Sequence, residues 1–207
     1  MSAVRPGLGV VILAAGASSR MGTSKLLLPW EGTTVIGQLL WQWEKLGAAQ
    51  IGVVLRAQDL ALAAELDRLH FPGASRLANP RPEHGMFSSV TCAASWTAWR
   101  EEISHWAIVL GDQPHLPAEM LQALLVFAAQ NPAAICQPSF GGRTGHPVIL
   151  PRAAFAALKR TGVATLKEFL AQTTCPRLAF PLADPEFLAD LDTPEDYQRL
   201  TRSQLRE

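Results

Sequence analysis

Short, almost uninterrupted apolar runs recur along the chain at residues 10–13, 51–55, 106–110, 133–136 and 147–150, each bounded by residues that favour turns. A run without polar alternation has no face to give to water. As a strand it must be covered on both sides, as in a parallel sheet between helices. Helical periodicity fills the gaps. Val35, Ile36, Leu39, Leu40, Trp43 and Leu46 share one stripe behind Thr33 and Thr34, either of which can cap a helix. Pro117, Glu119, Leu121, Leu124, Leu125 and Ala128 predict a second helix, with the proline in its first turn. Strands alternating with helices imply right-handed βαβ units, hence an α/β fold, a three-layer α/β/α sandwich on a mostly parallel sheet. With 207 residues, the chain is expected to form a single domain over 1–207.

In such sheets ligands bind beyond the carboxyl ends of the strands, so the segments directly after apolar runs carry the most information. After the first run comes Leu13-Ala14-Ala15-Gly16-Ala17-Ser18-Ser19-Arg20-Met21-Gly22-Thr23-Ser24-Lys25. Small residues let the backbone approach a ligand, successive N–H groups can cup an anion, and Arg20 and Lys25 can neutralise phosphate. The loop suits a polyphosphate. It is not a Walker A loop, because Thr23 and Ser24 separate Gly22 from Lys25, and it lacks GxGxxG, because Ser18 stands two after Gly16.

The run at 106–110 ends in Gly111-Asp112-Gln113-Pro114. A carboxylate at the tip of a buried strand is costly to cover, so Asp112 should face a cleft with a cation for company, and Mg²⁺ suits it. A second acidic cluster is Asp190-Leu191-Asp192-Thr193-Pro194-Glu195-Asp196-Tyr197. Asp192 or Thr193 can cap the helix opened by Pro194 and Glu195, whereas capping has no use for Asp190. Alternation puts Asp190 and Asp192 on one side of an extended segment, and either could complete a metal site with Asp112. Residues 142–147 read as a hairpin-like turn or as a wall of an acceptor pocket, with Arg143 pairing a phosphate beside His146. Residues 79–85 and 139–147 read as long loops.

Composition narrows the partners. Lys plus Arg and Asp plus Glu balance at 18 each, so no overall field draws the chain to nucleic acid or to an anionic membrane. Three unpaired, widely spaced cysteines suggest buried thiols in place of disulfides or zinc. The N-terminal apolar stretch is too short to span a bilayer, which makes a cytoplasmic location the expectation. The six tryptophans are expected to pack in the core and a lid.

Taken together and in order, the motifs at 13–16, 20–22, 25–29, 85–89, 111–114, 142–147 and 190–197 resemble those of MobA-like nucleotidyltransferases, and among them the molybdenum cofactor cytidylyltransferases. The resemblance implies a Rossmann-like sheet of the nucleotide-diphospho-sugar transferase type. It also implies a nucleotide held by Leu13, Ala14, Ala15, Gly16, Arg20, Gly22, Lys25, Gly85, Ser88, Ser89 and Gly111. Arg20, Lys25 and Asp112 are implied as catalytic, Asp112 with Asp190 or Asp192 as magnesium ligands, and Arg143 and His146 as acceptor-binding. Ala15 stands where the guanylyltransferases of the family usually have glycine, which leans toward CTP. Two positions depart from the family pattern: Phe87 is bulky beside Gly85, and Thr161-Gly162-Val163-Ala164-Thr165 replaces a glycine-aspartate-lysine-glycine type of segment where the acceptor should lie.

The expected reaction is attack of an acceptor phosphate oxygen on the nucleotide α-phosphorus, with a phosphorylated pterin as acceptor and pyrophosphate as leaving group. Such a nucleophile is already ionised, which fits a chain offering cations and carboxylates but no Ser-His-Asp set. Competing readings are a guanylyl or sugar-phosphate transferase, a catalytically silent nucleotide-binding chaperone in transient contact with molybdenum enzymes, and a redox enzyme on the same scaffold.

Overall fold

The computed structural model describes residues 7–16 and 24–204; Arg20 and Gly22 lie outside the described residues. Strand β1 (Gly7–Leu13) is followed by a tight turn at Lys25–Leu27 and the short pair β2 (Pro29–Trp30) and β3 (Thr33–Thr34). The chain continues through α1 (Val35–Lys45), β4 (Gln50–Arg56), α2 (Leu60–Arg68), β5 (Arg76–Asn79), α3 (Met86–Ser95), β6 (Ile103–Leu110) and α4 (Ala118–Gln130). Then come β7 (Ile135–Phe140), β8 (Arg143–Thr144), β9 (Val148–Pro151), α5 (Arg152–Ala157), α6 (Leu166–Gln172), β10 (Arg177–Pro181) and α7 (Pro194–Gln204).

The main sheet runs β10-β7-β9-β6-β1-β4-β5, with β8 attached to β7. Strands β6, β1, β4 and β5 are parallel, as are β10 and β7. The unbroken apolar runs are explained by what covers each face. Val10, Ile12, Val53, Leu55, Ala107 and Val109 pack on one side with Ile36, Leu39, Trp43, Leu62, Leu66, Leu121 and Leu124. Val11, Leu13, Val54, Trp106, Ile108 and Val148 pack on the other with Val90, Ala93, Phe155 and Phe169. Full burial of each Val, Leu or Ile on these faces is worth roughly 1.5–3 kcal/mol, so a polar alternation would have removed most of the drive to fold. The α/β class, the three layers and the mostly parallel sheet are as the sequence predicts.

Several local expectations change. The run at 147–150 becomes β9, which lies antiparallel to both β6 and β7. No helical crossover separates it from β7, because the turn at Gly141 and Gly142 folds β8 straight back on β7, so the chain returns reversed. The supposed loop at 139–147 therefore contains strand, and 79–85 contains a single tight turn at Pro82–His84. Thr34 caps α1 by accepting from Gly37 N at 3.2 Å, but Pro117 sits just before α4 as its cap residue, not in its first turn. Of the tryptophans, Trp41 is 54% exposed, and of the cysteines only Cys136 is fully buried. Among the described residues no helix is long and apolar enough to cross a membrane.

Candidate active site

The carboxyl ends of β6, β1, β4 and β5 lie side by side, and the four tips deliver Gly111-Asp112, residues 14–16, Arg56 and Asn79 to one edge of the sheet. A cleft of about 520 Å³ opens there, lined by Leu13, Ala14, Ala15, Gly16, Lys25, Leu26, Arg56, Pro82, Glu83, Gly85, Met86, Ser89, Leu110, Gly111 and Asp112. Backbone bonds hold the strand tips together: Ala14 N donates to Val54 O at 2.8 Å and Gly111 N to Leu13 O at 3.2 Å. Gly111 is required by that approach, since a Cβ there would stand 2.8 Å from both Leu13 O and Leu26 Cδ2.

One end of the cleft is charged. Lys25 Nζ donates to Asp112 Oδ2 at 3.0 Å and to Asp192 Oδ1 at 2.6 Å. Leu26, buried next to it, anchors the turn that carries the lysine. Burial alone would push the Lys25 ammonium down; its hydrogen bonds to Asp192 and Asp112 and the charges of both carboxylates outweigh it and hold the group above its ordinary value. Lys25 is therefore a firm cation between two carboxylates.

The late acidic motif reaches this point through its apolar residue. Leu191 is fully buried and its N–H donates to Asp112 O at 3.0 Å, so Asp190 and Asp192 both turn outward. Thr193 takes the capping role: its Oγ1 accepts from Asp196 N at 3.1 Å while Asp196 Oδ2 accepts from Thr193 N at 3.1 Å. Asp192 is thereby left to meet Lys25. Tyr197 clamps the following helix by donating to Pro29 O at 2.6 Å and setting its ring edge against Trp30. Asp190 instead accepts from Gln113 Nε2 at 2.9 Å. Its carboxyl is pushed up to about 6 by desolvation and then by repulsion from Asp112.

Of the two aspartates, Asp192 shares the Lys25 cation with Asp112, whereas Asp190 is paired with Gln113. Among the described residues no group of three or more His, Cys, Asp or Glu side chains is placed to hold a metal. Two carboxylates that already share the Lys25 ammonium nonetheless fit a Mg²⁺ or similar hard ion, which takes one or two carboxylates and draws its other ligands from phosphates and water.

The other end of the cleft is built from β5 and α3. Asn79, fully buried at the tip of β5, donates to Ser88 Oγ at 2.8 Å and Ser89 Oγ at 3.0 Å, and Ser88 Oγ donates in turn to Gly85 O at 2.7 Å. Ser88 is thus tied to the framework as acceptor and donor, and Ser89, which lines the cleft, as acceptor. Gly85 has φ +82, which disfavours any side chain, and lets the chain turn from the Pro82–His84 turn straight into α3. Phe87 lies inside the core with Val90 and Leu13, so its bulk does not crowd the cleft.

The two acceptor candidates are not brought into the cleft lining. His146 Nδ1–H donates to Ile108 O at 3.1 Å, and burial pushes its imidazole down, against the opposing pull of that carbonyl and of Asp112. Arg143 is exposed on β8, paired with Phe140. Within 161–165, Thr165 caps α6 by accepting from Glu168 N at 3.1 Å, and Glu168 Oε2 accepts from Ala164 N at 3.0 Å. That departure from the family pattern is a helix start. Sequence reasoning passed over Arg56, Asn79 and Glu83. Arg56 and Asn79 sit directly at strand tips, so the rule that singled out Asp112 would have found them.

Comparison with known proteins places the chain in a family. A family model described as the MobA-like NTP transferase domain matches residues 10–176. The molybdenum cofactor cytidylyltransferase of Escherichia coli K12 is 26% identical over 193 residues, covering 90% of this chain and 92% of that one. Among solved structures, a nucleotidyl transferase from Methanothermobacter superposes with a TM-score of 0.79 at 19% identity, over 97% of this chain and 98% of that one. Rv0371c of Mycobacterium tuberculosis H37Rv, in complex with manganese, gives a TM-score of 0.64 at 24% identity, over 95% and 99%. The chain belongs to the MobA-like NTP transferase family and is a nucleotidyltransferase.

Proposed function

We propose that this nucleotidyltransferase moves CMP from CTP to a phosphorylated, molybdopterin-type acceptor, with Mg²⁺ bound by Asp112 and Asp192. The observation that carries the reading is the Lys25 ammonium shared by those two carboxylates at one end of a cleft whose floor is residues 13–16. The cytidylyl and molybdopterin parts are supported by the similarity to the Escherichia coli enzyme and by Ala15 in the first motif. Divalent-metal use is supported by the manganese in the mycobacterial relative.

A phosphate oxygen of the acceptor attacks the α-phosphorus, the bond from that phosphorus to the bridging oxygen breaks, and pyrophosphate leaves with the electron pair. No proton need be removed from the nucleophile, so the reaction calls for no strong general base. An ion held by Asp112 and Asp192 would supply charge neutralisation on the phosphate oxygens. Lys25 holds a positive charge beside the reacting phosphate, and Asp112 and Asp192 set where that charge sits. Arg20 is assigned to the leaving pyrophosphate and Gly22 to the phosphate loop. Arg143 and His146 remain the candidate acceptor wall, His146 acting through the position of β9 against β6.

Incubating the protein with CTP, GTP, ATP or UTP, Mg²⁺ and molybdopterin, and following pyrophosphate release, tests this. Release dependent on the acceptor, fastest with CTP, is expected. Equal or faster release with GTP overturns the base assignment, and release with a sugar phosphate but none with molybdopterin overturns the acceptor.

A further inference from the structure

Arg56 is a charged residue at the tip of an otherwise apolar strand, and its place across the sheet edge is informative. From Asp112 at the tip of β6, past Ala15 after β1, to Arg56 at the tip of β4 is two strand spacings, about 10 Å. That is the reach from the phosphates of a nucleotide to its base. If the charged end at Lys25 and Asp112 takes the phosphates, as the proposed function holds, the base falls at the end lined by Arg56, Glu83, Met86 and Ser89.

Arg56 Nε–H donates to Ala15 O at 2.9 Å, and among the described residues this is its one hydrogen bond. The bond fixes the plane of the guanidinium at the floor of the cleft. Its two terminal nitrogens keep their N–H donors for something else. Ser88 donates to Gly85 O and Ser89 keeps a single O–H, so at this end the guanidinium is the group that offers paired donors.

We propose that Arg56 is a specificity-determining residue that reads the pyrimidine base, presenting paired N–H donors to the O2 and N3 acceptors of cytosine. The inference rests on the cytidylyl reading above and adds to it the group that enforces it. Uracil carries a hydrogen on N3, so the same donors would face a donor, and CTP is favoured over UTP. Glu83, on the same end, offers acceptor oxygens to the exocyclic amino group of cytosine, which uracil lacks. Ala15 O contributes indirectly, by orienting the fork.

The test measures affinity and turnover for CTP and UTP in the wild type, Arg56→Met and Arg56→Lys, each checked for an unchanged circular dichroism spectrum and melting temperature. Loss of a bidentate contact to a base edge should cut the CTP-over-UTP preference roughly tenfold or more in Arg56→Met. The change should fall on KM for CTP, with turnover at saturation nearly unaltered, because the base is bound equally in ground and transition states. Arg56→Lys, keeping one donor group, should recover part of the preference. A wild type with no CTP-over-UTP preference overturns the cytidylyl reading itself. A wild-type preference that survives intact in Arg56→Met, or equal weakening of both nucleotides, overturns the role of Arg56 alone and leaves it a brace for the Ala15 backbone.

Discussion

Two regions of the molecule were assembled by different means. The charged end of the cleft joins Lys25, Asp112 and Asp192, the carboxylates 87 and 167 positions away from the lysine, through direct hydrogen bonds between side chains. The hairpin that begins at Gly141 holds Arg143 and His146 within a few residues of each other, yet separates them: one is exposed on β8, and the other is tied to the backbone of β6. Closeness in sequence is thus a poor guide to shared chemistry where the chain leaves one short strand and bends toward another. Charges far apart in sequence meet because parallel strands bring their ends to one edge.

That contrast can be broken experimentally, beginning where the effect should be largest. Asp112→Asn keeps the shape of the side chain and removes a charge from the shared site. Turnover should fall on the order of 10²-fold or more, with the melting temperature little changed. Near-normal pyrophosphate release from this variant would show that Asp112 serves only the framework. Lys25→Ala should lose more turnover than Arg20→Lys, since the latter keeps its charge and the former leaves Asp112 and Asp192 facing each other without their cation. Steady-state kinetics at saturating acceptor decide this, and an unchanged turnover in Lys25→Ala removes it from the catalytic set.

At the hairpin the expected losses are of stability. His146→Ala breaks the bond to Ile108 O and should cost about 1–3 kcal/mol in urea unfolding, whereas Asn at the same place, with a donor near the Nδ1 position, should recover part of it. Loss of acceptor affinity without loss of stability would reverse the assignment. Acid gives a second readout. Burial holds His146, His105 and His115 below the ordinary value of 6.5, so the unfolded chain takes up protons first and stability falls as pH drops below about that value. His146→Ala should flatten, but not abolish, this decline in the melting temperature between about pH 7 and 5. The smallest effect belongs to Arg143→Ala, which should leave stability within about 0.5 kcal/mol and raise KM for the acceptor alone if Arg143 meets its phosphate.

Much of the molecule was legible in the chain itself. Uninterrupted apolar runs dictate strands buried on both faces, the stripe behind Thr34 dictates α1 and its cap, and an aspartate after a buried run has to emerge at a cleft. These features depend on periods of two and 3.6 residues and on the cost of burying charge, all of which act locally. The tertiary structure decided what depends on contacts between distant segments. It put Thr193 to capping and Asp192 on Lys25, because burying Leu191 against the end of β6 fixes which neighbour points where. It reversed β9, since a hairpin needs no crossover. It also brought Arg56 over Ala15, because only pairing β1 with β4 in one register sets a guanidinium beside that carbonyl.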